Sequence, residues 1–120
     1  DVHTAVNLKY ASGAVAQFTC SFLADLDGAM TIIGTDGQIT IPKHFYLAER
    51  AELQVYEGED ETFKEKHRSG GFEYQIEEAI ACIRAGEIES PVMPHADSLG
   101  NMRVMDEIRA QIGVKYPFES

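Results

Sequence analysis

One short segment, residues 42–46, concentrates side chains that are able to contact a small molecule. It reads Pro-Lys-His-Phe-Tyr and places a cation, an imidazole and two aromatic rings directly after a predicted strand. Ligand pockets are lined by aromatic side chains with a few polar groups, and this segment supplies both. The alternative is a loop whose aromatic rings only cap the core, and composition alone favours that alternative.

Glycine and serine clusters elsewhere do not form nucleotide or nucleophile motifs. Residues 34–37, Gly-Thr-Asp-Gly, lie between two predicted strands, so they predict a hairpin turn and not a phosphate loop. Residues 69–71, Ser-Gly-Gly, precede a predicted helix, but three glutamates near the start of that helix disfavour a bound anion. The sequence contains neither a G-x-G-x-x-G fingerprint nor a G-x-S-x-G elbow.

Metal and disulfide chemistry are not expected. Cys20 and Cys82 both lie within apolar patterns, which predicts reduced, buried thiols in a cytoplasmic protein. His95 and Asp97 are near enough in sequence to share a metal, but two ligands make a weak site. Asp97 is better explained as the N-cap of a helix. We therefore expect no metal site.

Composition bounds the class of protein. The chain has 120 residues, which suits one domain, and a chain of this length is expected to bury about two thirds of its unfolded surface in a core. The formal charge of −10 disfavours a nucleic-acid partner. No apolar run is long enough to span a membrane, and no signal peptide is recognisable.

Two periodicities follow one another along the chain. Alternating patterns predict strands at 4–10, 14–22, 29–33 and 38–41, with a further pair at 52–57 and 62–67. A 3.6-residue period then predicts one helix from Phe72 to just before Gly86, and a second over about 97–112. Strands followed by helices predict an α+β fold, a mostly antiparallel open sheet with two helices packed on one face as a two-layer sandwich. The other face of the sheet is expected to stay open.

The second predicted strand has two distinct faces. One face is apolar and is expected to lie in the core; it carries Ala16, Phe18, Cys20 and Phe22. The other face is polar enough for solvent, a cleft or a wet interface; it carries Val15, Gln17, Thr19 and Ser21.

An ordered set of segments resembles a known family. The segments are 12–22 (SGAVAQFTCSF), 34–42 (GTDGQITIP), 82–86 (CIRAG), 89–94 (ESPVMP), and 105–109 (MDEIR) leading into 112–117 (IGVKYP). Together they are similar to the C-terminal domain of the glucose–fructose oxidoreductase / inositol dehydrogenase (Gfo/Idh/MocA) family, in its dihydrodiol dehydrogenase-like branch. The resemblance covers almost the whole chain in the same order.

The resemblance implies a parent enzyme that this chain does not contain in full. That parent is a cytoplasmic NAD(P)-dependent oxidoreductase, which acts on a sugar, polyol or cyclic alcohol by hydride transfer. Its Rossmann domain binds NAD or NADP and supplies the active-site lysine, and its catalytic residues lie outside residues 1–120. We therefore expect residues 1–120 to be a single C-terminal substrate and oligomerisation domain, an excised piece that is inactive alone and holds no cofactor. The first residue, Asp1, is consistent with this expectation because it is not a start methionine.

The resemblance also implies roles for two sets of residues. The first set forms part of the substrate pocket by packing and orientation, not by proton transfer; it consists of His44, Phe45, Tyr46 and Phe72. The second set contacts a second subunit, as a homodimer, or the missing half of the parent; it consists of Val15, Gln17, Thr19 and Thr31.

Two other classes of function remain open. The chain could be a stand-alone binding or assembly module of sheet and helices, without enzymatic activity. It could also be a small-molecule sensor that uses the open sheet face, which predicts ligand-dependent stabilisation without any nicotinamide.

Overall fold

The computed structural model describes residues 2–118, and their order of elements is strands followed by helices. The strands are β1 (His3–Lys9), β2 (Val15–Ser21), β3 (Met30–Ile33), β4 (Gly37–Ile41), β5 (Arg50–Val55) and β6 (Glu61–Lys64). A short 3-10 helix, Phe45–Leu47, lies between β4 and β5. The helices are α1 (Phe72–Ala85) and α2 (His95–Ile112). All paired strands are antiparallel, so the predicted α+β class is confirmed.

The strands divide between two open sheets. The alternating sequence pattern could not predict this division, because it shows which residues share a face of a strand and not which strands pair. β1 and β2 form a two-stranded sheet, and β3-β4-β5-β6 form a four-stranded one in that order. The chain also divides into two compact units. Unit 1 comprises the chain up to Asp25 and from Glu78 onward, and unit 2 comprises Leu26–Glu77.

Unit 1 joins the β1–β2 hairpin to helix α2. The hairpin turns at Gly13, whose φ of 91° favours glycine. Val6 pairs with Phe18 across the two strands. Side chains from this face and from α2 line one groove of about 480 Å³. Thr4 and Val6, at 8% and 7% exposure, are the buried residues among residues 2–118.

Unit 2 is a four-stranded meander with one polar and one apolar face. Gly34 N–H donates to the Gly37 carbonyl at 2.8 Å, which confirms the predicted hairpin turn. A Cβ at Gly37 would collide with the backbone of Gln54 on the neighbouring strand, so this position requires glycine. The register aligns Thr31, Thr40, Glu52 and Thr62 across the sheet. It aligns Ile32, Ile39 and Leu53 on the opposite face.

The expectation of a buried core is wrong. The chain exposes 10231 Å², whereas a folded monomeric protein of this mass exposes about 6,500 Å². The residues of this region that were predicted to lie in the core remain largely accessible, with Cys20 exposed on β2 and Phe22, just after β2, at 90% exposure. The apolar residues that recur at the helical period in α1 are exposed as well; they are Phe72, Ile76, Ala79, Ile80 and Ile83. The reason is physical: an alternating strand or amphipathic helix creates an apolar face, but a second layer must cover that face before it is buried.

The cysteines and the start of α2 also differ from the predictions. Cys20 and Cys82 are both free, but Cys20 is exposed and Cys82 only half-buried. Helix α2 begins at His95 with Pro94 as its N-cap, so the assignment of Asp97 as N-cap is wrong. The His95 N–H donates a hydrogen bond to the Glu89 carboxylate at 2.6 Å. A side chain six residues upstream therefore satisfies one of the free N–H groups at the start of the helix. The predicted ends at Gly86 and Gly113 are confirmed by φ values of 74° and 71°.

Candidate functional site

The aromatic segment, residues 42–46, leaves β4 through an unusual backbone turn. His44 has φ 66° and ψ 45°, and no other non-glycine residue within residues 2–118 has a positive φ. This left-handed conformation costs an L-residue about 1–2 kcal/mol. Hydrogen bonds on both sides hold it: Phe45 N–H donates to the Gly28 carbonyl at 3.0 Å, and Leu47 N–H donates to the His44 carbonyl at 2.7 Å. The turn is therefore fixed by its surroundings.

The side chains of this segment form one aromatic cluster. His44 Nδ1 and Tyr46 Oη lie 3.2 Å apart, within hydrogen-bond distance. The Phe45 and Tyr46 rings meet edge to face, with centroids 5.6 Å apart and planes at 82°. Phe45 is 46% and Tyr46 is 66% exposed. The cluster thus presents two aromatic rings and one polar pair to the outside, a combination that suits contact with an organic molecule.

Phe72 occupies a different element from the aromatic segment. It is the first residue of α1 and is 67% exposed. Within residues 2–118, no ring contact joins it to His44, Phe45 or Tyr46. The structure therefore brings three of the four predicted pocket residues together, and the ring contacts within residues 2–118 do not include the fourth.

The start of α1 is occupied by carboxylates of the chain itself. Glu73 accepts the Ser69 N–H at 2.8 Å, and the pKa of Glu73 is lowered by backbone hydrogen bonds from its own N–H and from Ser69 and Gly71. Arg68 donates two hydrogen bonds to Glu77, at 2.8 and 2.5 Å, which lowers the pKa of Glu77. The position that a phosphate would need at this helix start is filled by negative charge. These residues do not fit the pyrophosphate of a dinucleotide.

A cavity of about 300 Å³ in unit 2 was not anticipated from the sequence. It lies where β5 and β6 approach the loop before α1, and it is lined by Ala48, Glu49, Phe63, Glu65, Lys66, His67 and Tyr74. The Glu49 carboxylate accepts the His67 N–H at 2.9 Å, across 18 residues of sequence. His67 Nε2 is buried and has no hydrogen-bond partner within residues 2–118. These residues come from separate segments of the sequence that meet through strand pairing. Their spacing in the sequence therefore did not predict the cavity.

A small polar cluster joins α1 to the loop before α2. Glu78 accepts hydrogen bonds from the Ser90 hydroxyl at 2.6 Å and from the Cys82 thiol at 3.4 Å. Burial raises the pKa of the Cys82 thiol, and the Glu78 carboxylate raises it further. A thiol held protonated in this way is a poor nucleophile. Among residues 2–118, no group of three or more His, Cys, Asp or Glu side chains is arranged to hold a metal ion.

The predicted interface residues lie on polar strand faces. Val15 is 69% exposed, and Gln17 on the same face of β2 donates to Asn7 Oδ1 at 2.8 Å. Thr19 is exposed two residues further along that face. Thr31 lies on β3, in the other sheet, at the edge of the polar row that crosses unit 2. No helix in residues 2–118 has the length and hydropathy needed to cross a membrane.

Comparison with known proteins gives a consistent result. No family model matches the chain. A trans-1,2-dihydrobenzene-1,2-diol dehydrogenase of Danio rerio is 35% identical over 96% of this chain and 36% of its own length. Proteins of the same name from Oryctolagus cuniculus and Homo sapiens are 31% and 28% identical, each over 93% of this chain. The chain therefore spans about a third of the length of these relatives and corresponds to their C-terminal part.

The alignments with these relatives cover 93–96% of the chain, in three species. It involves proteins of one name, and that name matches the branch to which the ordered segments point. The predicted resemblance is confirmed: the chain is similar to the C-terminal part of dihydrodiol dehydrogenases.

Proposed function

We propose that this chain is the substrate-facing and oligomerisation domain of an NAD(P)-dependent oxidoreductase that acts on a sugar, polyol or cyclic alcohol. The observation that carries the proposal is the 35% identity, over 96% of the chain, to a dehydrogenase named for a cyclic diol. Fold alone would not support this step, since one fold serves many reactions.

The aromatic segment supplies the substrate wall in this proposal. His44, Phe45 and Tyr46 form a fixed, outward-facing cluster of rings with one polar pair. A wall of this kind packs against a ring-shaped substrate and orients it, but it offers no group placed for the oxidation itself. Phe72 belongs to the proposal only as a further exposed aromatic in unit 2.

The cofactor and the catalytic residues belong to the rest of the parent enzyme. The chain has no dinucleotide fingerprint, and the one glycine-led helix start is occupied by Glu73 and Glu77. We therefore expect the chain alone to bind neither NAD nor NADP and to be inactive. The free cysteines suit a reducing compartment, so we place the parent in the cytoplasm.

The two kinds of strand face take two kinds of partner. The apolar face of unit 2, which includes Ile32 and Ile39, is covered by the remainder of the parent chain in this proposal. The polar faces form the contact of a homodimer, through Val15, Gln17, Thr19 and Thr31. Polar faces that can be exposed to solvent in the monomer are typical of non-obligate interfaces.

A chimera tests the proposed function. In this chimera, the chain replaces the matching C-terminal third of the Danio rerio relative. Oxidation of trans-1,2-dihydrobenzene-1,2-diol is measured through the reduction of NAD or NADP. The chimera is expected to oxidise the diol, and the chain alone is expected to be inactive. A folded chimera without activity, beside an active parent control, contradicts the proposal and favours a stand-alone binding module.

A further inference from the structure

The residue type at position 44 is not explained by its backbone. Glycine adopts left-handed φ without a steric cost, and asparagine adopts it more readily than most residues. The chain instead has histidine there, at φ 66°. A strained residue that its surroundings hold in place points to a use for its side chain. This side chain contacts Tyr46 Oη, at 3.2 Å.

Contacts within the segment orient the Tyr46 side chain. The backbone on either side of His44 is held by hydrogen bonds from Phe45 to Gly28 and from Leu47 to His44. The His44 ring meets the Tyr46 ring edge to face at 5.9 Å, and the Phe45 ring meets it at 5.6 Å. Tyr46 is nevertheless 66% exposed. The hydroxyl is thus oriented from inside the segment but remains open to a molecule from outside.

The hydrogen-bonding capacity of a phenol determines what this arrangement recognises. A tyrosine hydroxyl has one donor and two acceptor positions. When its O–H donates to Nδ1 of a neutral imidazole, its acceptor positions remain available. A substrate hydroxyl can then donate to Tyr46 Oη, whereas a hydrogen or methyl group at the same place cannot. A site that hydrogen-bonds a substrate hydroxyl discriminates against an analogue that lacks it.

We propose that His44 is a positioning residue that orients the Tyr46 hydroxyl to bind a second hydroxyl of the substrate, one that is not itself oxidised. Discrimination between a cyclic diol and a simple cyclic alcohol then depends on these two residues. This inference rests on the proposed function and names the residues that choose within its substrate class.

The first experiment uses the 120-residue chain without any catalysis. Imidazole ¹⁵N resonances of His44 are recorded in the wild-type chain and in Tyr46→Phe, which keeps the ring and removes the hydroxyl. The Nδ1 resonance is expected to move on substitution. Titration with trans-1,2-cyclohexanediol is expected to shift the signals of residues 44–46, and titration with cyclohexanol is expected to shift them at least fivefold less. An unmoved Nδ1 resonance, or equal shifts with both alcohols, overturns the inference.

The second experiment measures selectivity in the chimera, as the ratio of kcat/KM for trans-1,2-cyclohexanediol to that for cyclohexanol. Tyr46→Phe is expected to lower this ratio about tenfold with little effect on cyclohexanol. His44→Gly keeps the backbone turn but removes the imidazole, so it is expected to lower the ratio similarly. His44→Asn, which tolerates the turn and retains an acceptor, is expected to restore part of it. Phe45→Leu is the control and is expected to affect both alcohols equally.

The double variant His44→Gly/Tyr46→Phe separates positioning from independent action. If His44 acts through the hydroxyl, the double variant is no worse than Tyr46→Phe alone. Additive losses in the ratio contradict the inference. A chimera that oxidises neither alcohol contradicts the proposed function instead, and the resonances of the chain then decide the inference separately.

Discussion

Unit 1 and unit 2 are built from the same kind of strand, with one polar and one apolar face, yet the burial of the apolar face differs between them. In unit 1, the β1–β2 face that carries Val6 shares a groove with α2, and two of its residues are buried. In unit 2, the apolar face that carries Ile32 and Ile39 contains no buried residue, and the same holds for all of Leu26–Glu77. A strand pattern thus creates a face, and only another layer turns that face into a core.

The open unit is also the one that carries the candidate site. The aromatic segment leaves the end of β4, and its strained residue is held by hydrogen bonds within unit 2. Surfaces that bind partners and substrates must remain accessible, so they cannot be buried by the fold that presents them. The comparison suggests that unit 1 contributes stability and unit 2 contributes recognition.

The largest effect is expected from a charge at Val6, the one buried apolar position among residues 2–118. Val6→Asp places a carboxylate at a site of 7% exposure, and it is expected to destabilise unit 1 by about 3 kcal/mol or more. Val15→Asp makes the same change on the exposed face of the same hairpin and is expected to cost about 0.5 kcal/mol or less. Urea unfolding followed by circular dichroism measures both variants.

Ile32→Asp extends this test to unit 2. Ile32 is apolar and lies on the apolar face, but it is 50% exposed, so its substitution in the isolated chain should resemble Val15→Asp and not Val6→Asp. Equal damage from Ile32→Asp and Val6→Asp would show that the two units do not differ in the way described.

The next effect concerns the two faces of β3 in the chimera. Thr31→Lys places a charge on the polar face proposed for the dimer, and it is expected to weaken dimerisation about tenfold, or about 1.4 kcal/mol. Ile32→Lys makes the same charge change one residue later on the opposite face. It is expected to lower thermal stability and leave dimerisation within about threefold. Sedimentation at moderate salt measures dimerisation, and a dimer that depends on Ile32 instead would reverse the roles of the faces.

The sequence was sufficient to predict the strands and helices but not to predict which of their faces are buried. The turn at Gly34 and Gly37, and the helix ends at Gly86 and Gly113, follow from local chemistry and were predicted correctly. Burial could not be predicted, because it depends on what lies against a face and not on the face itself. The cap of α2 was missed because Glu89 supplies it from outside the helix. The left-handed backbone at His44 was missed because no residue type demands it.

A smaller effect is expected from the polar cluster of unit 1. Ser90→Ala removes the 2.6 Å hydrogen bond to Glu78 at a half-buried position, and it is expected to cost about 1 kcal/mol. The control, Ser98→Ala, alters an exposed serine in the first turn of α2 and is expected to leave stability unchanged or slightly raised. Thermal unfolding of both variants compares them. If Ser90→Ala has no effect, unit 1 depends on apolar burial alone.

The smallest effect is expected from acid at the start of α1, where unit 2 is held by exposed charges and not by burial. The pKa values of Glu73 and Glu77 are lowered in the fold, so the folded state binds fewer protons than the unfolded chain. The stability that these groups contribute is therefore present above the ordinary glutamate value of 4.5 and is lost as the pH falls through their lowered values. The protection of amides 72–77, measured relative to their intrinsic exchange rates at each pH, is expected to fall on acidification before that of the β1–β2 hairpin. In Glu77→Gln, these amides are expected to be less protected at neutral pH, and their protection is expected to change less on acidification.

The control is Glu59→Gln, in the exposed turn between β5 and β6. Its amide protection should depend on pH as in the wild-type chain. Simultaneous loss of protection in both places would mean that burial in unit 1 gives it no advantage over the charged contacts of unit 2.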